Sequence, residues 1–231
     1  MLRPAFGLDP EDIQTYYAEA FELRHNMKRF DRYLNQNGPT WTMDQRADHV
    51  RALLVPFAEM HSMGMAHCDV DCHNLWYATD NATIVTSEYY ASFIPEQTTV
   101  KDIRTLLKST QLQLPEDVFS GAGDILDPFR VDVFLLGQIA HRICFVDKRL
   151  EREDQISVWR PHASGDPFNG QLDEFFAKAL DWDAANRYKD AGVFPHRCTS
   201  QLKTGGRGIE SLNISVIATP TIERGCVRGS I

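Results

Sequence analysis

His67-Cys-Asp-Val-Asp-Cys-His-Asn74 is the stretch on which the reading of this chain turns. Eight residues carry two histidines, two cysteines, two aspartates and an asparagine, a density of chemically active side chains found nowhere else in the sequence. Immediately before it, Thr42 to Met60 reads as a helix, because Val50, Leu53, Leu54, Phe57 and Met60 recur at helical spacing on one face. Pro56 inside that helix costs an internal hydrogen bond or a kink, and Gly64 suits its C-terminal end. Immediately after it come two short β-like runs, Leu75-Trp-Tyr77 and Thr83-Ile-Val-Thr86, separated by the turn residues Asp80-Asn81. The segment is therefore a loop between a long helix and a hairpin. Zinc is one reading of it, since His61, His67, Cys68, Cys72 and His73 are zinc-type ligands. Cys-x-x-x-Cys-His lacks the paired spacing of common structural zinc sites, which counts against that reading.

Working outward, Phe30 to Leu34 reads as a short helix stopped by Asn35-Gln-Asn-Gly-Pro39. Upstream, Leu2 to Leu8, the turn Asp9-Pro-Glu-Asp12 and the aromatic run Thr15 to Leu23 read as a hairpin. Downstream, Val131 to Cys144 is apolar nearly all round, the signature of a central buried helix. Asp166 to Gly170 is a break, and Gln171 to Leu180 is helical, with a face of Leu172, Phe175, Phe176, Ala179 and Leu180. After Phe194 the texture changes: Thr204-Gly-Gly-Arg-Gly208 is flexible, and Ile214 to Thr219 is a strand-like run without a neighbour to pair with.

With these elements in order, the loop resembles the catalytic loop of eukaryotic-type protein kinases, whose pattern is H-R-D-x-x-x-x-N. His67, Asp69 and Asn74 fall on its three matching positions, and Met60-His-Ser-Met-Gly-Met-Ala-His67 resembles the family's entry into that loop. The resemblance implies that Asp69 accepts or orients the substrate hydroxyl and that Asn74 holds Mg²⁺ on the nucleotide phosphates. Three later features agree in order. Leu114-Pro-Glu116 resembles the A-P-E motif, Asp132-Val-Phe-Leu-Leu-Gly137 resembles the start of the family's buried central helix, and Asp181-Trp-Asp-Ala-Ala-Asn-Arg187 resembles a late segment. By resemblance, Asp132 holds the catalytic-loop backbone, Glu116 and Arg187 form an ion pair, and His67 packs under the loop. Taken singly, each has a plainer reading: Asp132 as an N-cap, Leu114-Pro-Glu116 as a helix start, Arg187 as a solvated charge. Their shared order carries the inference.

The implied fold is α+β, a protein-kinase-like fold made mostly of its helical C-terminal lobe. Residues 1–24 are remnant strands of the upper lobe and the hinge, with Glu22 and Leu23 as the nucleotide-facing hinge residues. Residues 25–194 are the large lobe, and residues 195–231 are a tail. ATP and Mg²⁺ are the implied cofactors, and a protein Ser or Thr is the implied acceptor.

The sequence also departs from the family. It has no G-x-G-x-x-G loop and no V-A-I-K-like strand, so it is expected to begin after the Lys strand. The D-F-G motif is absent; its Asp position falls at Ser87, or at Glu88 with one insertion. Glu88 is the residue of the two that suits Mg²⁺. Cys68 stands where the family has Arg. Asp71 stands where Ser/Thr kinases often carry Lys, and its carboxylate would repel a phosphate. These changes keep a second reading open: a non-catalytic pseudokinase lobe that binds a partner protein, or an inactive truncated product.

Composition agrees with a folded domain of ordinary apolar content. A net charge of −8 argues against bulk nucleic-acid binding, which needs a basic surface. No apolar run is long enough for a bilayer and no leader pattern is visible, so neither a membrane nor secretion is expected. The five scattered cysteines do not form a disulfide pattern, and the expected compartment is the cytoplasm.

Overall fold

The helix before the loop is α2, as numbered here, Met43–Ser62, and it starts where its chemistry says it should. Thr42 Oγ1 accepts the Gln45 amide and Gln45 Oε1 accepts the Thr42 amide, a reciprocal capping box. Its other end is closed by Gly64, whose φ of +75° lets the chain turn back with its amide on the His61 carbonyl. Pro56 is accommodated within the helix.

The computed structural model describes residues 26–89, 92–94, 115, 127–154, 156–162 and 166–193. The fold of these residues is mixed α+β. The expected hairpin of Leu2 to Leu23, the hinge residues Glu22 and Leu23, Glu116 and the tail from residue 195 lie outside them.

A three-stranded antiparallel sheet, in the order β1-β2-β3, flanks the loop. Its strands are β1 (Met27–Arg29), β2 (Leu75–Ala78) and β3 (Thr83–Thr86). Trp76 pairs with Arg29 on one side and Val85 on the other, while Leu75 and Tyr77 turn inward to the core. Helix α1 is Phe30–Asn37, longer than the apolar residues alone suggest. Asn37 donates its side-chain amide to the Tyr33 carbonyl, so the asparagine closes the last turn instead of stopping the helix before it.

The central helix α3 is Pro128–Cys144. Asp127 caps it through the Phe129 and Arg130 amides, with Pro128 in the first turn where its missing N–H costs nothing. Residues Val131 to Gly137 are buried without a break, so the helix runs through the middle of the core. Val50, Leu53, Leu54 and Phe57 of α2 join Phe134, Leu135, Phe175 and Phe176 in one continuous apolar cluster. Each such side chain contributes about 1.5–3 kcal/mol by leaving water. Helix α4, Asp173–Ala179, lies on α3 at Gly137, where a Cβ would stand 3.0 Å from Leu180 Cδ2. A second hairpin, β4 (Glu151–Glu153) and β5 (Ile156–Val158), follows α3. Among the described residues no helix is long and apolar enough to cross a membrane.

Candidate functional site

Asp132 is the centre of the site's construction. It lies one turn into α3, fully buried, and it is not the helix cap; Asp127 has that role. Its carboxylate accepts the His67 amide at 2.7 Å on Oδ2 and the Cys68 amide at 2.7 Å on Oδ1. His61 adds a third bond, Nε2 to Oδ2 at 3.0 Å. The Ala191 amide donates to His61 Nδ1 at 2.9 Å, so the imidazole hydrogen sits on Nε2 and points at Asp132. One carboxylate thus joins the end of α2, the loop and α3, while His61 brings in the segment at Ala191.

Those bonds hold a conformation the loop would not adopt alone. Cys68 has φ of +62°, a left-handed backbone that costs a residue with a Cβ about 1–2 kcal/mol. His67 is fully buried, its ring edge-on to Phe57 and 5.1 Å from Tyr89. His67 Nε2 donates to the Ser87 carbonyl at 2.9 Å, and Nδ1 accepts the Asp69 amide at 3.3 Å. Ser92 Oγ donates to the His67 carbonyl, and Ala66 bridges Phe93.

The loop brings Asp69 and Asn74 together. Asn74 Nδ2 donates to the Asp69 backbone carbonyl at 2.9 Å and to its carboxylate at 3.1 Å. Both amide hydrogens are therefore directed at Asp69, which leaves Oδ1 as the face of Asn74 suited to a cation. Of Ser87 and Glu88, Ser87 is the one laid against Asn74. Its amide and hydroxyl both donate to the Asn74 carbonyl, at 2.9 and 3.1 Å, and its hydroxyl accepts the Trp76 indole N–H at 3.3 Å. Glu88 follows at φ of +66° on the exposed side of the chain. The chain leaves strand geometry after Thr86, so alternation does not extend to this residue.

Asp71 has a local reason to be where it is. Its Oδ1 accepts the His73 amide at 2.8 Å and meets the His73 ring, which tightens the turn between Asp69 and Asn74. His73 also faces Asp31 at 3.5 Å. Arg29 grips Asp31 through two bonds of 2.7 and 2.8 Å, and this pairing draws the Asp31 carboxyl below its ordinary range. Burial, with Asp132 beside it, pushes the Cys68 thiol well above its ordinary value; burial pushes Cys72 up to about 12. Neither thiol is a thiolate at neutral pH. Among the described residues, no three or more His, Cys, Asp or Glu side chains group to hold a metal ion.

Arg187 is buried, not solvated. It donates to the carbonyls of Asp181, Trp182 and Arg130 and stacks over Phe134 at 4.7 Å. Its expected partner Glu116 lies outside the described residues.

His61 was read only as a zinc-type ligand; its tie to Asp132 was legible in principle, because it falls one turn beyond Phe57 on the buried face of α2. Trp76 and Ser92 carry no local signal for their contacts, which span 11 and 25 residues. No protein-family model matches the chain, and no curated protein is similar enough to stand as a relative.

Proposed function

We propose that residues 25–194 form the large lobe of a protein-kinase-like fold, and that its function is phosphoryl transfer from ATP to a protein Ser or Thr in the cytoplasm. The observation that carries this is the pairing of Asp69 with Asn74 in a loop hung from Asp132. In this reading Asp69 orients the acceptor hydroxyl and takes its proton. Asn74 keeps the Asp69 carboxylate in place through Nδ2. Mg²⁺, when bound, supplies neutralisation of the phosphate charge, and Asn74 Oδ1 is the group that would hold it. Glu88 is the carboxylate that the resemblance offers to share the ion. A surface depression of about 450 Å³ lined by Arg29, Tyr33 and Trp76 lies on the β1–α1 face, and none of Asp69, Asn74, Ser87 or Glu88 lines it.

A second reading is favoured by Ser87. The residue laid against Asn74 is a hydroxyl already engaged with Asn74 and Trp76, where a carboxylate would complete a metal site. On that reading the lobe is non-catalytic and binds a partner protein.

Thermal unfolding with ATP, with and without Mg²⁺, separates the two. Ligand at 100 times its Kd stabilises by about 2.7 kcal/mol, or roughly 5–10 °C in a domain of this size. A Mg²⁺-dependent rise that is lost in Asn74→Ala, together with phosphate transfer abolished by Asp69→Asn, supports phosphotransfer. Cooperative melting with no shift supports the partner-binding lobe.

A further inference from the structure

The depression of about 450 Å³ on the β1–α1 face has a composition of its own. Lys28, Arg29 and Arg32 line it beside Met27, Tyr33 and Trp76, and among the described residues no carboxylate does. The whole chain carries −8, so three cations on one small wall run against its overall charge. Asp31 grips Arg29 at 2.7 and 2.8 Å, which offsets one of these charges and fixes that guanidinium. Lys28 and Arg32 are exposed, and among the described residues neither has a carboxylate partner. Trp76 is half-buried, and its Nε1 donates to Ser87 Oγ at 3.3 Å, which ties this wall to the residue laid against Asn74. Tyr33 is held as well, stacked on Tyr77 at 4.2 Å.

We propose that this face docks an acidic segment of a partner protein, a short run rich in Asp and Glu. It rests on the lobe meeting another protein, an element common to both functional readings, and adds the chemistry of that protein. Charge decides the sign of the ligand. At physiological salt a charge is felt over about 8 Å, so a ligand seated in the depression meets Lys28 and Arg32 before the acidic remainder of the chain. Side-chain type decides for a protein. Trp, Tyr, Arg and Met are enriched at protein interfaces, and Met27, Arg29, Arg32, Tyr33 and Trp76 are of those types. Anionic membranes are held by clusters of about four to eight Lys or Arg, more than this wall has. A nucleic acid would run past the depression onto a chain of net charge −8. Arg29, Tyr33 and Trp76 are already held by Asp31, Tyr77 and Ser87, so docking has to order little beyond Lys28 and Arg32.

The test is fluorescence anisotropy of a dye-labelled peptide of alternating glutamate and serine, titrated with the full chain in the absence of ATP. Leaving out ATP separates docking from phosphate transfer: a lobe that transfers nothing still gives the isotherm, and a lobe that does not dock is still judged for transfer by Asp69→Asn. The expected result is saturable binding that weakens as salt rises and falls roughly tenfold or more when Lys28→Glu and Arg32→Glu are combined. Both positions are exposed, so the double variant should melt as the wild type does. Arg152→Glu, at an exposed arginine of β4 outside the depression, should bind like the wild type. No saturable binding at low salt overturns the proposal. So does equal binding of the peptide with glutamine in place of glutamate, or a loss as large in Arg152→Glu. Equal affinity for phosphatidylserine vesicles, lost in the same double variant, assigns the face to a membrane and overturns it too.

Discussion

Replacing Asp132 with Asn tests the construction of the loop directly. The wild-type carboxylate satisfies three buried donors: the His67 and Cys68 amides, each at 2.7 Å, and His61 Nε2 at 3.0 Å. Asn offers one oxygen and one N–H₂ in the same volume. Its oxygen serves one side of the carboxylate position, and its nitrogen meets a donor on the other. At least one buried N–H is left without an acceptor, at about 1–3 kcal/mol, and the bonds that remain lose their charge assistance. Relief from burying a carboxylate offsets part of this. The left-handed Cys68 backbone, with about 1–2 kcal/mol of strain, is held by one of the affected bonds and favours any rearrangement that lets it go. The net expectation is a loss of about 2–4 kcal/mol, or roughly 4–16 °C in melting temperature. Urea unfolding of the two proteins measures the loss, and hydrogen exchange at the His67 and Cys68 amides shows where it falls. A loss under about 0.5 kcal/mol with both amides still protected would refute the reasoning.

Gly137→Ala should destabilise although Ala favours helix, because its Cβ would stand 3.0 Å from Leu180 Cδ2 and 3.2 Å from Ala179 Cβ. Overpacking of about 1–3 kcal/mol outweighs a propensity gain of about 1 kcal/mol, and a raised urea midpoint would count against the tight α3–α4 contact. His141 should make stability fall on acidification. Its folded-state value is depressed to about 3, so the unfolded chain binds the extra proton first, from about pH 6.5 downward. The stabilisation is complete above pH 6.5 and is lost between there and about pH 3; down to pH 4 it amounts to about 3 kcal/mol at most. The urea midpoint followed over that window should flatten in His141→Phe. Ser87→Asp should lower stability without metal, since it buries a carboxylate against the Asn74 carbonyl, and Mg²⁺ should then restore it more than in the wild type. Melting curves with and without Mg²⁺ decide this, and equal responses would mean that Asn74 Oδ1 and residue 87 do not share an ion.

How much of this was legible in the sequence follows from where the signals reside. Helices α2 and α3 were visible because their burial is one-sided or complete over four to five turns, long enough for periodicity to outweigh local noise. Strands β2 and β3 were visible from their β-branched and aromatic content and the turn between them. Strand β1 was not, since Met27-Lys-Arg29 is a strand only because β2 lies beside it. Nor was β4, whose Glu151-Arg-Glu153 has no apolar alternation and ends in ion pairs to Arg160. The sequence allowed Asp132 as the cap of α3. Pro128 decides against it: it fits the first turn, which makes Asp127 the cap and places Asp132 inside, facing the loop.

The residues that shape the loop and those that would do its chemistry belong to different sets. Asp132, His61, His67 and Ser92 bind backbone groups of the loop or of segments packed against it, or one another, and each answers a buried polar group that would otherwise cost free energy. That need exists whether or not the protein transfers phosphate, because the chain must cross from α2 to β2 through the core either way. Loop shape is therefore common to both functional readings. Cys68, Asp71 and Ser87 are positions at which the sequence departs from the pattern it resembles, and Asp71 and Ser87 bind their own neighbours there. What separates the readings is charge beside Asn74. A carboxylate from residue 88 has to turn inward against an exposed backbone position at φ of +66° to complete the site, whereas a residue at 87 is already there and lacks the charge.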